Sequence, residues 1–93
     1  MATDGYEWDP RKAADNLRKH GVDFADAIVA LEDPQALTML DPDSNGEVRF
    51  VSIGRDAAGR LLVTIFTPRG PLIRVISSRR ATRGESRTYG ERT

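Results

Sequence analysis

Lys12, Asn16, Lys19 and His20 stand at offsets 0, +4, +7 and +8 in the stretch DPRKAADNLRKHG. On a helix those offsets put all four on one polar stripe. His20 is the single histidine of the 93-residue chain, and Lys12 and Lys19 are its only lysines. A histidine gains and loses a proton near neutral pH, and an ammonium beside it supplies positive charge to an anion. The stripe can therefore handle protons or phosphate. The plainer alternative is a helix end, where a last-turn histidine is stabilised by the helix dipole and by a carbonyl. Ala13, Leu17 and again His20 form the adjoining apolar stripe, so His20 falls at the boundary between core and solvent.

A second set of cations lies in strand-like sequence. In EVRFVSIGR, residues 47–55, Arg49 alternates onto the face of Val51 and Ile53, and Val48, Phe50 and Ser52 take the other. In LIRVISSR, residues 72–79, Arg74 shares a face with Leu72 and Ile76. An arginine on a sheet surface presents its planar fork to a phosphate or carboxylate. It also serves as an edge charge that discourages aggregation, and spacing alone leaves both readings open.

Composition narrows the chemistry. The chain has no cysteine, which excludes disulfides, zinc–thiolate sites and thiol nucleophiles, and one histidine argues against a histidine-rich metal site. No glycine-rich phosphate loop or nucleophile elbow is present, so a small-molecule enzyme is disfavoured. No apolar run approaches the ~20 residues of a membrane span, and MATDGYEWDP lacks the apolar segment of a secretory signal. The expectation is a cytoplasmic protein of one domain, residues 1–93, without membrane contact. Net charge is zero but unevenly spread: residues 1–47 carry −7, and residues 48–93, with ten arginines, carry +7. Such a basic half suits a polyanion or an acidic protein, unless folding interleaves the halves.

The elements that must position these residues are readable. YEW, residues 6–8, has strand composition. Asp9, Pro10 and Gly21 mark the start and end of a first helix. Asp23 caps a second, with Phe24, Ala27, Ile28 and Leu31 at helical spacing, and Asp33-Pro34 stops it. Strand-like runs follow at 36–40, 47–54, 60–66 and 71–77, separated by DPDSNG, DAAG and PRG. Connections that short require antiparallel neighbours. Thr82 and Glu85 form a capping-box signature for a last helix from about Arg83, which Gly84 and Gly90 weaken, so it is expected to be short or frayed. The fold class is α+β, with two N-terminal helices, an antiparallel sheet of four or five strands and a short C-terminal helix.

Three stretches together resemble the BrnT family of toxins from bacterial type II toxin–antitoxin modules. YEWDPRKAADNLRKHGVDFADA is similar to its opening, with an aromatic-Glu-Trp-Asp segment, a lysine, an asparagine and Lys-His-Gly-Val. EVRFVSIGRDAAGRLLVTIFTPRG resembles its Glu-x-Arg segment and hairpin, and IRVISSRRATRGESRTY its Arg-x-Ile-Ser-x-Arg-x-Ala-Thr tail. The chain departs at Ser78, where alanine is usual, and at Gly84 and Ser86, where arginine or lysine is common. The resemblance implies a RelE-like fold and a ribonuclease that cleaves RNA without a metal or cofactor. It also implies neutralisation by a BrnA-type antitoxin, with operator DNA met only through that antitoxin.

Metal-free cleavage needs a base for the ribose 2′-hydroxyl, an acid for the leaving 5′-oxygen and cations for the phosphorane. By resemblance, Lys19 and His20 are candidates for proton transfer, and Arg49 and Arg79 for clamping the phosphate. Lys12, Trp8, Arg74, Tyr89 and Glu47 complete the expected RNA-binding set: Trp8 by stacking, Tyr89 by stacking or by donating a proton, Glu47 by orienting an arginine or acting as a base. The alternative is a non-catalytic arginine-rich module acting within a repressor complex. All of this requires the end of the first helix to meet the guanidinium groups of the later sheet.

Overall fold

The structure is a computed structural model, and it describes residues 2–43 and 46–91. The elements follow in the order β1 (Ala2–Thr3), β2 (Tyr6–Glu7), α1 (Pro10–His20), α2 (Phe24–Leu31), β3 (Leu37–Leu40), β4 (Phe50–Arg55), β5 (Leu61–Arg69), β6 (Leu72–Arg80) and α3 (Arg83–Glu91). Ser44 and Asn45 of the expected DPDSNG turn lie outside the described residues.

The two N-terminal helices form where their caps place them. The Asp9 carboxylate accepts the N–H of Arg11, and Gly21, at φ 68°, returns its N–H to the Leu17 carbonyl. The Asp23 carboxylate likewise accepts the N–H of Ala25. Strands β3 to β6 form the expected antiparallel meander, and β5 turns into β6 through Gly70-Pro71, with Gly70 at φ 57°. A two-residue hairpin needs a positive φ at that position, which glycine adopts without strain.

The expected antiparallel sheet of four or five strands is corrected to a mixed sheet of six, in the order β1-β2-β6-β5-β4-β3. YEW does form a strand, but β2 pairs parallel with β6, Tyr6 opposite Ile73 and Glu7 opposite Arg74. Short connections dictate antiparallel pairing only between consecutive strands. Between β2 and β6 lie both helices and three strands, a path long enough for a parallel crossover. The run expected from Glu47 also begins later, at Phe50.

The helices and the sheet make two apolar layers. On one face α1 and α2 cover Val75 and Leu62, with Tyr6, Val22, Phe24, Ala27 and Ala30 buried between. Gly54 lies so close under α2 that an added Cβ would meet the Ala30 carbonyl oxygen. On the other face α3 brings Tyr89 down onto Ile53 and Val63. The last helix is short, as expected, at nine residues, and Tyr89 ties it to the sheet in spite of its two glycines.

Because β2 has two residues and pairs only at Ile73 and Arg74, the rest of β6 has no strand on that side among the described residues. Asn16 takes the place of one. Its side-chain amide donates to the Ser78 carbonyl at 2.7 Å and its oxygen accepts the Ser78 N–H at 3.0 Å. The same amide donates to the Val22 carbonyl at 3.0 Å. Asn16 is thus buried, on what the helical offsets gave as a polar stripe, whereas Leu17 on the expected apolar stripe is 49% exposed. Replacing Asn16 with alanine strands the buried N–H and C=O of Ser78. An Asn16→Ala variant should lose about 2–3 kcal/mol of stability, read as a lower urea midpoint at unchanged slope.

Candidate functional site

Asn16 fixes α1 against β6 at Ser78, and His20 follows one helical turn later, about 6 Å along the axis. His20 consequently lies over the open stretch of β6, where it borders two adjoining cavities together with Ser77. The smaller, about 300 Å³, lies between α1 and β6 and is lined by Lys12, Asp15 and Lys19 of the helix and Ile76 and Ser77 of the strand. The larger, about 360 Å³, opens on the sheet face that α3 partly covers. Its floor is Met39, Val51, Val63 and Ile65, its β6 side carries His20, Ser77 and Arg79, and α3 contributes Glu85. Asp41, Pro42 and Asp43, directly after β3, form the side across the sheet.

The first helix and the sheet therefore do meet, at His20 and Arg79. Arg49 is not part of this convergence. The pairing of Arg79 with Val63 and of Val63 with Ile53 places Arg49, four residues before Ile53 and just ahead of β4, roughly 13 Å along the strands and 10 Å across them. There Arg49 pairs with Glu47 at 3.4 Å, and its buried Nε has no hydrogen-bond partner among the described residues. Arg74 lies beside β2 and pairs with Glu7 at 3.4 Å. Trp8 packs against the core cluster around Phe24 and Val75. Tyr89 is buried under α3, its hydroxyl donating to the Asp33 carboxylate at 2.7 Å and its ring beneath the Arg55 guanidinium. Of the nine residues expected at the site, His20, Arg79, Lys12 and Lys19 line the two cavities, and Arg49, Arg74, Glu47, Trp8 and Tyr89 do not.

Arg79 is held firmly. Both terminal nitrogens of its fork donate to the two oxygens of Glu85, each at 2.8 Å. Glu85 also accepts the N–H of Thr82, and its own N–H donates to the Thr82 hydroxyl, which completes the capping box of α3. The Arg79 fork holds the Glu85 carboxyl down to about 2, far below its ordinary 4.5, although burial opposes this. Reciprocally, the carboxylate raises the Arg79 guanidinium. Sequence reasoning found Glu85 as a cap but missed its second contact, and it missed Ser77, Asp41 and Asp43 altogether. One signal for Glu85 was available: an arginine six residues before a capping glutamate, at a strand–helix corner.

A family model for the ribonuclease toxin BrnT of type II toxin–antitoxin systems matches residues 8–85. The chain belongs to the BrnT family. Among solved structures it is similar to the ribonuclease toxin BrnT of Brucella abortus, at 32% identity and a TM-score of 0.60, over 82% of this chain and 94% of that one. No curated protein matches the chain. The BrnT match spans both helices, the whole sheet from β3 onward and the start of α3, and so every residue lining the two cavities.

The Arg79–Glu85 pair makes the stability of this corner pH-dependent. A carboxyl whose value falls from 4.5 in the unfolded chain to about 2 in the fold stabilises the fold fully above 4.5, and that contribution disappears as pH falls toward 2. Denaturation midpoints measured between pH 6 and pH 2.5 should fall across the lower part of that window. Glu85→Gln should lower the midpoint at pH 6 and flatten this part of the curve; parallel curves for the two proteins would show that the pair contributes nothing.

Proposed function

We propose that this BrnT-family chain is a metal-independent endoribonuclease that inhibits growth and is neutralised by a BrnA-type antitoxin in the cytoplasm. The observation that carries the reading is the place of His20, between a cavity holding Lys12 and Lys19 and a cavity holding Arg79. A ribose–phosphate link at that junction meets a proton-transfer group and cations on both sides.

In the proposed reaction the ribose 2′-oxygen attacks the adjacent phosphorus as its proton passes to a base. The bond from phosphorus to the 5′-oxygen breaks as an acid protonates that oxygen, leaving a 2′,3′-cyclic phosphate and a 5′-hydroxyl. His20 serves in proton transfer at one of these oxygens, with Lys19 as partner or as fixed charge. Glu85 is a poor base, because a carboxyl held near 2 has little affinity for the proton it must accept. Its part is to position Arg79. The Arg79 fork is already occupied by Glu85, so it acts first as a charge and as a bidentate clamp only when phosphate displaces the carboxylate. Arg49 and Arg74, distant from the junction, serve longer RNA rather than the scissile link.

The alternative of a purely binding arginine-rich sheet is weakened by its ion pairs. Arg49, Arg74 and Arg79 each have a glutamate partner, which lowers the positive field a polyanion would feel. Contact with operator DNA is assigned to the antitoxin.

Purified protein should cleave single-stranded RNA in the presence of EDTA and leave cyclic phosphate ends. His20→Ala should slow that cleavage by a factor of about 10²–10⁴ without changing the fold, and Lys12→Ala should act mainly through KM. Cleavage that requires added magnesium, or an unaltered rate in His20→Ala, would reject the mechanism.

A further inference from the structure

The two cavities that share His20 and Ser77 have opposite characters. The one along α1 has two ammonium groups, Lys12 and Lys19, against the single carboxylate of Asp15. The one on the sheet has three carboxylates, Asp41, Asp43 and Glu85, against the single guanidinium of Arg79, and an apolar floor. Phosphate is attracted to the first; in the second only the Arg79 corner next to His20 draws it, and the side at Asp41 and Asp43 does not. A flat apolar floor beneath hydrogen-bond acceptors has the opposite preference: it suits the face of a base, with the base's N–H groups directed at the carboxylates.

We infer that the sheet cavity is a base-recognition subsite and that it selects guanine, in a reading that rests on the ribonuclease function proposed above. The volume, about 360 Å³, admits one nucleoside beside the junction at His20. Met39, Val51 and Ile65 supply the surface on which the ring lies. Asp41 supplies the discriminating acceptor. One of its oxygens accepts the N–H of Asp43 at 3.0 Å, which orients the carboxylate, and among the described residues nothing bonds the other oxygen. A carboxylate has acceptors only. Guanine presents two adjacent donors, N1–H and the exocyclic amine, on its pairing edge. On the same edge adenine and cytosine set an acceptor beside their amine, and uracil flanks its one N–H with two carbonyls. Guanine is therefore the base whose edge a carboxylate meets with two hydrogen bonds and no clash of lone pairs. The substrate is thereby placed with its guanine over β3–β5 and the neighbouring phosphates along Lys12 and Lys19.

Binding and cleavage test this separately. Titration of the isotope-labelled protein with guanosine, adenosine and cytidine 5′-monophosphates should shift the methyl signals of Met39, Val51 and Ile65, with guanosine binding most tightly. Asp41→Asn, whose amide replaces one acceptor by a donor, should reduce the guanosine preference roughly tenfold. Mapped cleavage sites in RNA should adjoin guanine in the wild type and spread to other bases in Asp41→Asn, and rescue by Asp41→Glu should restore the preference. Methyl signals that stay unmoved, or move equally for all three nucleotides, overturn the subsite whatever the nuclease assay gives. Guanosine-selective shifts in a protein that cleaves no RNA would uphold the subsite and sink the nuclease reading instead. A wild-type cleavage pattern indifferent to guanine would overturn the selectivity.

Discussion

One side chain fixes the geometry on which the site depends. Asn16 offers an amide to a strand edge that β2 is too short to cover, and it satisfies both backbone groups of Ser78 as a neighbouring strand would. Apolar contact between α1 and the sheet would tolerate sliding or rotation of the helix, because burial is non-directional. The two hydrogen bonds to a single residue do not. A shift of one residue in either partner breaks both and leaves buried polar groups unpaired, at a cost far above that of displaced apolar contact. The position of His20 above Ser77 follows from this pairing, since only one helical turn of α1 separates it from Asn16.

Ionic pairing then distributes the charge that the sequence segregates. Arg60 bridges the Asp56 turn to Asp26 of α2 and donates to the Gly21 carbonyl, which ties the basic half to the acidic half. Asp33 accepts from Tyr89 and from the backbone of Gln35 and Arg55; burial alone would raise its carboxyl, but these bonds hold it below the usual range. Arg74 and Glu7 also join the two halves. What remains unbalanced is local: lysines along α1, carboxylates around the sheet cavity. A chain with no net charge can thus still present an oriented field, because, among the described residues, the lysines of α1 and the carboxylates of Asp41 and Asp43 lie on opposite sides of His20.

The helices and the meander were legible because caps, turn residues and alternation are local properties. Asp9, Pro10 and Gly21 bracket α1 in the sequence as they do in the fold, and Thr82 with Glu85 marks the start of α3. The parallel β2–β6 pair was not legible. Two residues carry no periodicity, and the partner lies at the other end of the chain. The inward turn of Asn16 was hidden for a related reason. Helical offsets group it with Lys12 and Lys19, and only a strand edge waiting at Ser78 turns a polar residue inward. At the site, His20 and Arg79 converge as required. Arg49 does not, because motif membership gives its identity but not its place ahead of β4, four residues before Ile53. Tyr89 looked like a residue of a loose tail; burial on Ile53 and Val63 makes it part of what holds α3 down.

The Arg79–Glu85 pair connects fold and chemistry in a way that restricts both. Glu85 belongs at once to the cap of α3 and to the wall of the cavity, and Arg79 leaves the sheet just where α3 begins. A phosphate that takes the Arg79 fork must compete with a carboxylate already in bidentate contact at 2.8 Å, itself anchored by the Thr82 N–H. Both competitors are anionic and both match the fork, so charge alone does not favour the phosphate. The advantage has to come from the rest of the substrate, through contacts at Lys12, at Lys19 and over the apolar floor. A free phosphate lacks those contacts; under the proposed function, an RNA segment spanning both cavities would supply them. Occupancy of the fork then depends on how much of the substrate is bound, which ties the arginine's availability to engagement of the neighbouring nucleotides.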